Sequence, residues 1–301
     1  MRWWNPGGAG DPSLVVPGHA GFKNIARWTP SPEVCRLLVD FHHHLLNEPD
    51  YADHLAEECR RLGIERVCCS GLGLPSRNWL GDLSPGNGDV LQAMERYPDL
   101  ILGLGVIRLG RDGPEVVDRL RGEGFVGLKT TRPGARYDDP AFWPVYGRAE
   151  ELGLPILFHT GFVLTTDRDR QDAVSSDAMR PVCLDLVARR FPGLRFVAAH
   201  LGMPWHEEAA CLARFHPHAY VDLTGSPGGW RNRRAPAWFD EQFYWPQAWR
   251  KVVFGTDVHW RDMEATLADH RRILSLCNVP PDVQADIFGG TAARWLGLVG
   301  G

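Results

Sequence analysis

Val39-Asp40-Phe41-His42-His43-His44 reads as a buried strand that ends in polar side chains. Successive strand side chains alternate faces, so His42 and His44 are expected on one side and His43 on the other. That puts two imidazoles at one metal-sized site. By the same alternation Asp40 shares the His42/His44 face, where its carboxylate is expected to hold an imidazole tautomer as an outer partner. The hexapeptide alone fits a solvated cluster equally well, because a His-rich tract points to metal only through composition.

Outward from this stretch, short apolar runs alternate with amphipathic segments. Strands are expected at Leu38 to His42, Arg66 to Ser70, Ile101 to Ile107, Val126 to Lys129, Ile156 to His159, Arg195 to His200, Ala219 to Leu223 and Val252 to Asp257. Helices are expected near 50–62, 87–97, 114–122, 140–152, 179–191, 206–216, 236–249 and 261–276, with a last one over 281–297 that turns Ile287, Ala292, Ala293 and Leu296 inward. Apolar strands separated by helices imply a parallel sheet covered by helices. Eight such units predict an α/β fold, a (β/α)8 TIM barrel, over an open sheet. A doubly wound sheet usually carries a Gly-rich turn after its first strand, whereas this one is followed by His44-Leu45-Leu46-Asn47. Gly63, Gly153 and Pro192-Gly193 read as helix stops leading into strands.

The chain has 301 residues, is 44% hydrophobic and carries a formal net charge of -4, so it can bury a large core and shows no basic stripe for nucleic acid. No run approaches the ~20 apolar residues of a membrane span and the first residues lack an apolar signal core, so a cytoplasmic location is expected. Cys35, Cys59, Cys68, Cys69, Cys183, Cys211 and Cys277 form no CxxC pair and read as reduced thiols. Residues 1–37, rich in Gly, Pro and Trp, are expected to be an extended arm before a single barrel domain at 38–301. Trp3, Trp4, Phe22 and Trp28 are too apolar for a solvated tail, so the arm should pack on this subunit or on a partner in a homodimer.

In a TIM barrel chemistry sits at the C-terminal ends of the strands. There the sequence places His42 and His44 on strand one, Lys129 on strand four, His159 on strand five, His200 on strand six and Asp257 on strand eight, each directly after an apolar run. Convergence of that many polar tips on one rim points to a shared site on a small-molecule substrate.

The Asp40-x-His42-x-His44 motif, His159-Thr-Gly, His200-Leu-Gly-Met-Pro and Phe-Gly-Thr-Asp257 occur in an order that resembles the metal-dependent amidohydrolase superfamily, in particular its amidohydrolase-2 branch with the aminocarboxymuconate semialdehyde decarboxylase-like enzymes. The likeness runs from about residue 38 to 298 and includes Gly124 to Lys129 and Phe288 to Leu298, with Gly290-Thr291 in place of the usual Gly-Asn. The resemblance implies His42, His44, His159 and Asp257 as ligands of one divalent cation, and His200 as the catalytic histidine. Three imidazoles with a carboxylate suit Zn2+, and Mn2+, Fe2+ or Co2+ fit the same set. A metal-bound water or hydroxide would be the nucleophile, with Asp257 accepting the water's proton and His200 stabilising the oxyanion or acting as acid.

Lys129 has two readings, a cation for a substrate carboxylate, which is preferred, or a carboxylated bridge between two metals as in other superfamily members. Arg132, His259 and Trp260 are expected to touch substrate. Asp222 resembles a structural turn residue, and His43, His54, His206, His216 and His218 read as structural or solvent-facing. The long segment from Phe162 onward is expected to be a lid. The resulting expectation is a metal-dependent hydrolase of a C–N or C–O bond, in an amide, lactone or ester of a small cyclic or aromatic substrate. The rival is a metal-dependent non-oxidative decarboxylase of an aromatic or unsaturated acid, and a metal-free scaffold is a third reading.

Overall fold

The computed structural model describes residues 37–72, 85–166, 169–170 and 172–298. The N-terminal arm apart from Leu37, and with it Cys35, therefore lies outside the described residues. Strands β1 (Val39–His44), β2 (Arg66–Ser70), β3 (Ile101–Val106), β4 (Gly127–Thr130), β5 (Ile156–Phe158), β6 (Phe196–Ala198), β7 (Ala219–Asp222) and β8 (Val252–Val253) pair parallel in chain order. Between them run helices α1 (Tyr51–Leu62), α2 (Asn87–Arg96), α3 (Pro114–Gly122), α4 (Trp143–Glu151), α5 (Cys183–Arg190), α6 (His206–Phe215) and α7 (Pro236–Gln242), and α8 (Met263–Leu276) follows β8. This is the expected TIM barrel.

The helices form because apolar residues recur at helical spacing. In α1, Tyr51, Leu55, Ala56 and Cys59 are buried on one stripe, and Gly63 ends the helix at φ 74°, a left-handed conformation that glycine adopts without strain. Gly153 stops α4 at φ 65° in the same way. The helix expected over 236–249 is instead two pieces, α7 and a 3-10 turn at Ala248–Lys251. Pro246, which has no N–H to give a helix, lies between them.

The core has two layers. Inside the barrel Val39, Phe41, Cys68, Leu104, Leu157 and Val197 pack together, and the larger layer fills the space between strands and helices. The C-terminal segment closes the floor as α9 (Pro281–Ala285), a π-helical turn (Asp286–Gly290) and α10 (Thr291–Leu296). Ile287, Ala292 and Ala293 are buried as expected, and Leu296 only partly so. Trp295 on α10 meets Phe41 edge-on at 5.5 Å and Tyr220 at 4.6 Å. The described cysteines are all free thiols.

The eighth strand is two residues long rather than six, because beyond Val253 the chain leaves the ladder to close the barrel. Phe41 N–H donates to the Phe254 carbonyl (3.0 Å), and the N–H groups of Thr256 and Asp257 both donate to the His42 carbonyl (3.1 and 2.7 Å). A second irregularity lies on the other side of β1, whose register with β2 slips by one residue between Asp40 and His43. The slip breaks the simple alternation, and the expectation that Asp40 shares a face with His42 fails there. Phe41 packs inside the barrel while Asp40 binds Thr256 through its N–H (3.0 Å) and hydroxyl (2.5 Å).

Gly289, in the π-helical turn, carries a testable consequence: a Cβ there would stand 2.0 Å from the Leu37 carbonyl oxygen. Gly289→Ala must push the floor off β1, at a cost of about 1–3 kcal/mol. A drop of roughly 3–10 °C in melting temperature is expected by calorimetry, and an unchanged transition would show that the floor packs loosely.

Candidate metal centre and active site

The strand ends bring His42, His200 and Asp257 together, with one donor atom from each within 4.8 Å of the others. His44 and His159 flank this group. His44 Nε2 lies 3.3 Å from Asp257 Oδ1, and His159 Nδ1 lies 3.2 Å from His200 Nε2. These five strand-end residues thus meet at one rim, with His200 inside the tightest group rather than beside it.

Two of these residues hold strained backbone, His200 at φ 59° and Asp257 at φ 49°. Non-glycine residues occupy this region at a cost of order 1–3 kcal/mol each, which the surrounding hydrogen bonds must offset. Here those bonds are visible. Asp257 N–H is held by the His42 carbonyl, and His200 N–H donates to Asp222 Oδ1 at 2.7 Å.

The outer nitrogen of each imidazole is engaged, and its partner fixes the tautomer. His42 Nδ1–H donates to Asp222 Oδ2 (2.8 Å). His44 Nδ1 meets the Ser70 carbonyl (3.3 Å) and hydroxyl (2.9 Å); a carbonyl only accepts, so Nδ1 carries the proton. His159 Nε2–H donates to the Phe162 carbonyl at 3.2 Å. Thr224 donates its hydroxyl to Asp222 Oδ1 (2.6 Å) and accepts from His200 Nδ1–H (2.7 Å). Each ring is left with one lone pair. Those of His159 Nδ1 and His200 Nε2 face each other, an arrangement that repels unless a proton or a metal ion is shared.

Electrostatics point the same way. Burial, with Lys129 adding to it, pushes His42 down to about 4, so its ring is neutral at ordinary pH. Burial likewise holds His44 and His159 well below the usual histidine range. Asp222 is held well below the carboxylate range despite its burial, because His42 and His200 face it. Neutral imidazoles with outer N–H groups tied down and lone pairs converging on a carboxylate are the donor chemistry of a divalent cation site.

Lys129 is buried, and its Nζ donates to His42 Nε2 at 3.0 Å. Burial pushes it down to about 8, with Asp257 and Asp222 pulling the other way. The ammonium group reaches for the same lone pair that a metal would use.

A cavity of about 470 Å³ opens above these groups. His44, Lys129, His159, His200 and Asp257 form its polar base, and Leu72, Phe162, Val163, Leu164, Met203 and Trp230 form an apolar wall. Arg132 also touches the cavity, but its guanidinium is committed to Asp169 Oδ1 (2.7 Å) and to the Leu164 carbonyl. It thereby pins the segment after β5, expected as a lid, so that Phe162, Val163 and Leu164 stand as a wall.

Two expected substrate contacts lie elsewhere. His259 pairs with Glu48 at 3.1 Å, and Trp260 stacks on His54 with centroids 5.0 Å apart; neither lines the cavity among the described residues. Their position three residues or fewer after Asp257 misled, because the chain turns away from the mouth into a 3-10 turn at Trp260–Asp262. His43 faces outward as expected, between Thr256 Oγ1 (2.8 Å) and the Tyr51 hydroxyl (3.1 Å). His206 donates to the Leu201 carbonyl at 3.0 Å, and His216 pairs with Asp185 at 2.7 Å.

Sequence reading missed the reach of Asp222. It takes the place expected of Asp40 as the partner of His42, and it also binds Thr224 and the backbone of His200. The signal was its position at the end of strand seven, the same rank as the other site residues. Tyr137 was missed entirely; its hydroxyl donates to the His159 carbonyl at 2.8 Å.

The chain belongs to the amidohydrolase family, the amidohydrolase-2 branch, whose family model matches residues 39–298. Among solved structures it is similar to an uncharacterised TIM-barrel protein of Bordetella bronchiseptica, at 22% identity and a TM-score of 0.64 over 86% of this chain and 98% of that one. It is also similar to a probable 2-pyrone-4,6-dicarboxylic acid hydrolase of Acinetobacter baumannii (14%, TM-score 0.60, 86% and 99%) and to 2,6-dihydroxybenzoate decarboxylase from Rhizobium (16%, TM-score 0.60, 88% and 100%). No curated protein matches it. Among the described residues no helix is long and apolar enough to cross a membrane.

Asp222→Asn keeps the size of the side chain but loses the charge that fixes His42. It is expected to weaken binding of a divalent cation about 10–100-fold, the usual effect of losing an outer-sphere partner. Titration with Co2+ against a chromogenic chelator measures this, and wild-type affinity would remove Asp222 from the site.

Proposed function

We propose that the protein is a metal-dependent hydrolase that cleaves a C–N or C–O bond of an amide, lactone or ester in a small cyclic or aromatic substrate. The observation that carries this reading is the split placement of the Asp257 carboxylate. Oδ1 lies 3.3 Å from His44 Nε2 and 3.7 Å from His42 Nε2, whereas Oδ2 lies 3.7 Å from His200 Nδ1. One oxygen is disposed toward the lone pairs of His42 and His44, the other toward the ring of His200.

His42, His44, His159 and Asp257 would hold the cation, with His200 within reach, and three imidazoles with a carboxylate favour Zn2+. When bound, the metal supplies Lewis acidity and lowers the pKa of a coordinated water. Asp257, which burial raises above the usual carboxylate range, would act as base toward the attacking water. His200, its Nδ1–H tied to Thr224, would steady the oxyanion or hand a proton to the leaving group only once Nε2, which faces the cavity base, has taken up a proton. Lys129 offers a cation to an anionic substituent, the apolar wall covers the ring, and Arg132 acts by holding that wall in place.

Decarboxylation of an aromatic or unsaturated acid is the second reading, supported by Lys129 at the base of an apolar cavity: it would receive the carboxylate while His200 or Asp257 manages the proton. Product analysis in H2(18)O separates the two. The hydrolase incorporates one labelled oxygen into its product from a panel of lactones, aryl esters and amides, and releases no carbon dioxide. Carbon dioxide from benzoates without label uptake would replace it by the decarboxylase, and neither product from the metal-loaded protein would sink both.

Two substitutions test the roles. His159→Ala is expected to lose metal and activity together. His200→Ala should keep the metal and lose about 10²–10⁴-fold in kcat, the usual worth of a positioned acid or base. Loss of metal from His200→Ala, measured by atomic absorption, would make His200 a ligand.

A further inference from the structure

Arg231 is the largest fully buried side chain among the described residues, and the chemistry proposed above does not use it. It lies behind the turn that follows β7. Its Nη1 donates to the carbonyls of Leu223 (3.1 Å) and Gly225 (2.5 Å), and Trp230 Nε1 donates to the carbonyl between them, that of Thr224 (2.9 Å). Three consecutive carbonyls are therefore fixed from outside. From inside, Asp222 Oδ1 accepts from the N–H (3.0 Å) and the hydroxyl of Thr224. The turn that presents Asp222 to His42 and Thr224 to His200 is clamped on both sides.

The clamp is energetically expensive. Among the described residues Arg231 Nε and Nη2 find no hydrogen-bond acceptor; Nη2 forms only a long ion pair with Asp269 Oδ2 at 3.6 Å, and that oxygen is equally without a hydrogen-bond donor. Thr266 Oγ1 and His270 Nε2 on α8 are unpaired as well. Burial pushes the guanidinium down to about 10, against the pull of Asp269. Unpaired buried donors cost stability, and replacing a buried ion pair by an apolar side chain of similar volume is often neutral or stabilising. Stability alone does not account for an arginine at this position, whereas control of two carbonyls, each on a residue adjacent to a site side chain, does.

We propose that Arg231 is a positioning residue: through the carbonyls of Leu223 and Gly225 it sets Asp222 and Thr224, and through them the imidazoles of His42 and His200. The inference rests on the metal-dependent reading above for its functional meaning, but its test does not require turnover.

Arg231→Met and Arg231→Lys are compared with wild type, first by spectra of metal-free protein labelled with 15N-histidine. The His42 Nδ1 proton shared with Asp222 is expected far downfield, identified by its disappearance in Asp222→Asn. In Arg231→Met it should broaden or exchange with solvent, while the melting temperature stays level or rises. Co2+ affinity should fall about 10-fold, the lower end of outer-sphere effects. With a substrate in hand, kcat should fall while KM stays within about two-fold, the pattern of a lost transition-state interaction. Arg231→Lys, which keeps the charge but cannot reach both carbonyls in one plane, should lie between.

A wild-type imidazole spectrum and Co2+ affinity in Arg231→Met overturn the proposal. If that variant does not fold, Arg231→Lys decides: disturbed imidazole signals at an unchanged melting temperature support positioning, undisturbed ones refute it, and failure of both variants to fold makes Arg231 a purely structural residue. Absence of Co2+ binding by wild-type protein would instead sink the metal-dependent reading, leaving the His42 proton to judge Arg231 alone.

Discussion

The structure depends on the seam between the first and last strands. The His42 carbonyl accepts from two successive N–H groups, those of Thr256 and Asp257, and this pair of bonds closes the barrel at its upper rim. The same two residues, His42 and Asp257, send their side chains to the candidate metal centre. Closure of the sheet and assembly of the site are one event. It requires close backbone approach, and Gly255 permits it: a Cβ at that position would lie 2.6 Å from the Cβ of His42. Asp40 completes the joint by accepting from the N–H groups of His42 (3.1 Å) and Thr256 (3.0 Å).

Around that joint the site is organised from the outside inward. Each imidazole has its outer nitrogen occupied by an acceptor drawn from a neighbouring strand or loop: Asp222 for His42, Ser70 for His44, Phe162 for His159 and Thr224 for His200. None of these acceptors can be exchanged for solvent without freeing a ring to rotate. The fold therefore does more than gather histidines, because it fixes which nitrogen of each is available. Asp222 is the busiest of these outer groups, shared by two imidazole systems and by the turn that Arg231 grips from behind.

Much of this was legible in the sequence. Apolar runs ending in His42, His159, His200 and Asp257 located both the strands and the rim, since burial demands apolar residues along a strand and chemistry demands polar ones at its end. What stayed hidden depends on contacts between distant segments. The one-residue slip in β1 leaves no trace in composition, and it moved Asp40 away from the imidazole it was expected to hold. Asp222 looked like a turn residue because its three partners come from β1, the turn after β6 and its own loop. His259 and Trp260 stood close to Asp257 in sequence, yet the backbone turns there and takes them to Glu48 and His54. Proximity along the chain is a poor guide once a residue with positive φ intervenes.

Lys129 gives the centre a property of its own. Its ammonium reaches His42 Nε2 and lies in the field of Asp257 and Asp222, so the chain carries an internal counter-charge for these acids. In a site where a cation alone neutralised the carboxylates, chelation would leave them repelling one another in a dry interior. With the lysine present, one positive charge facing Asp257 and Asp222 would remain after an ion was stripped, and it would offset part of that repulsion.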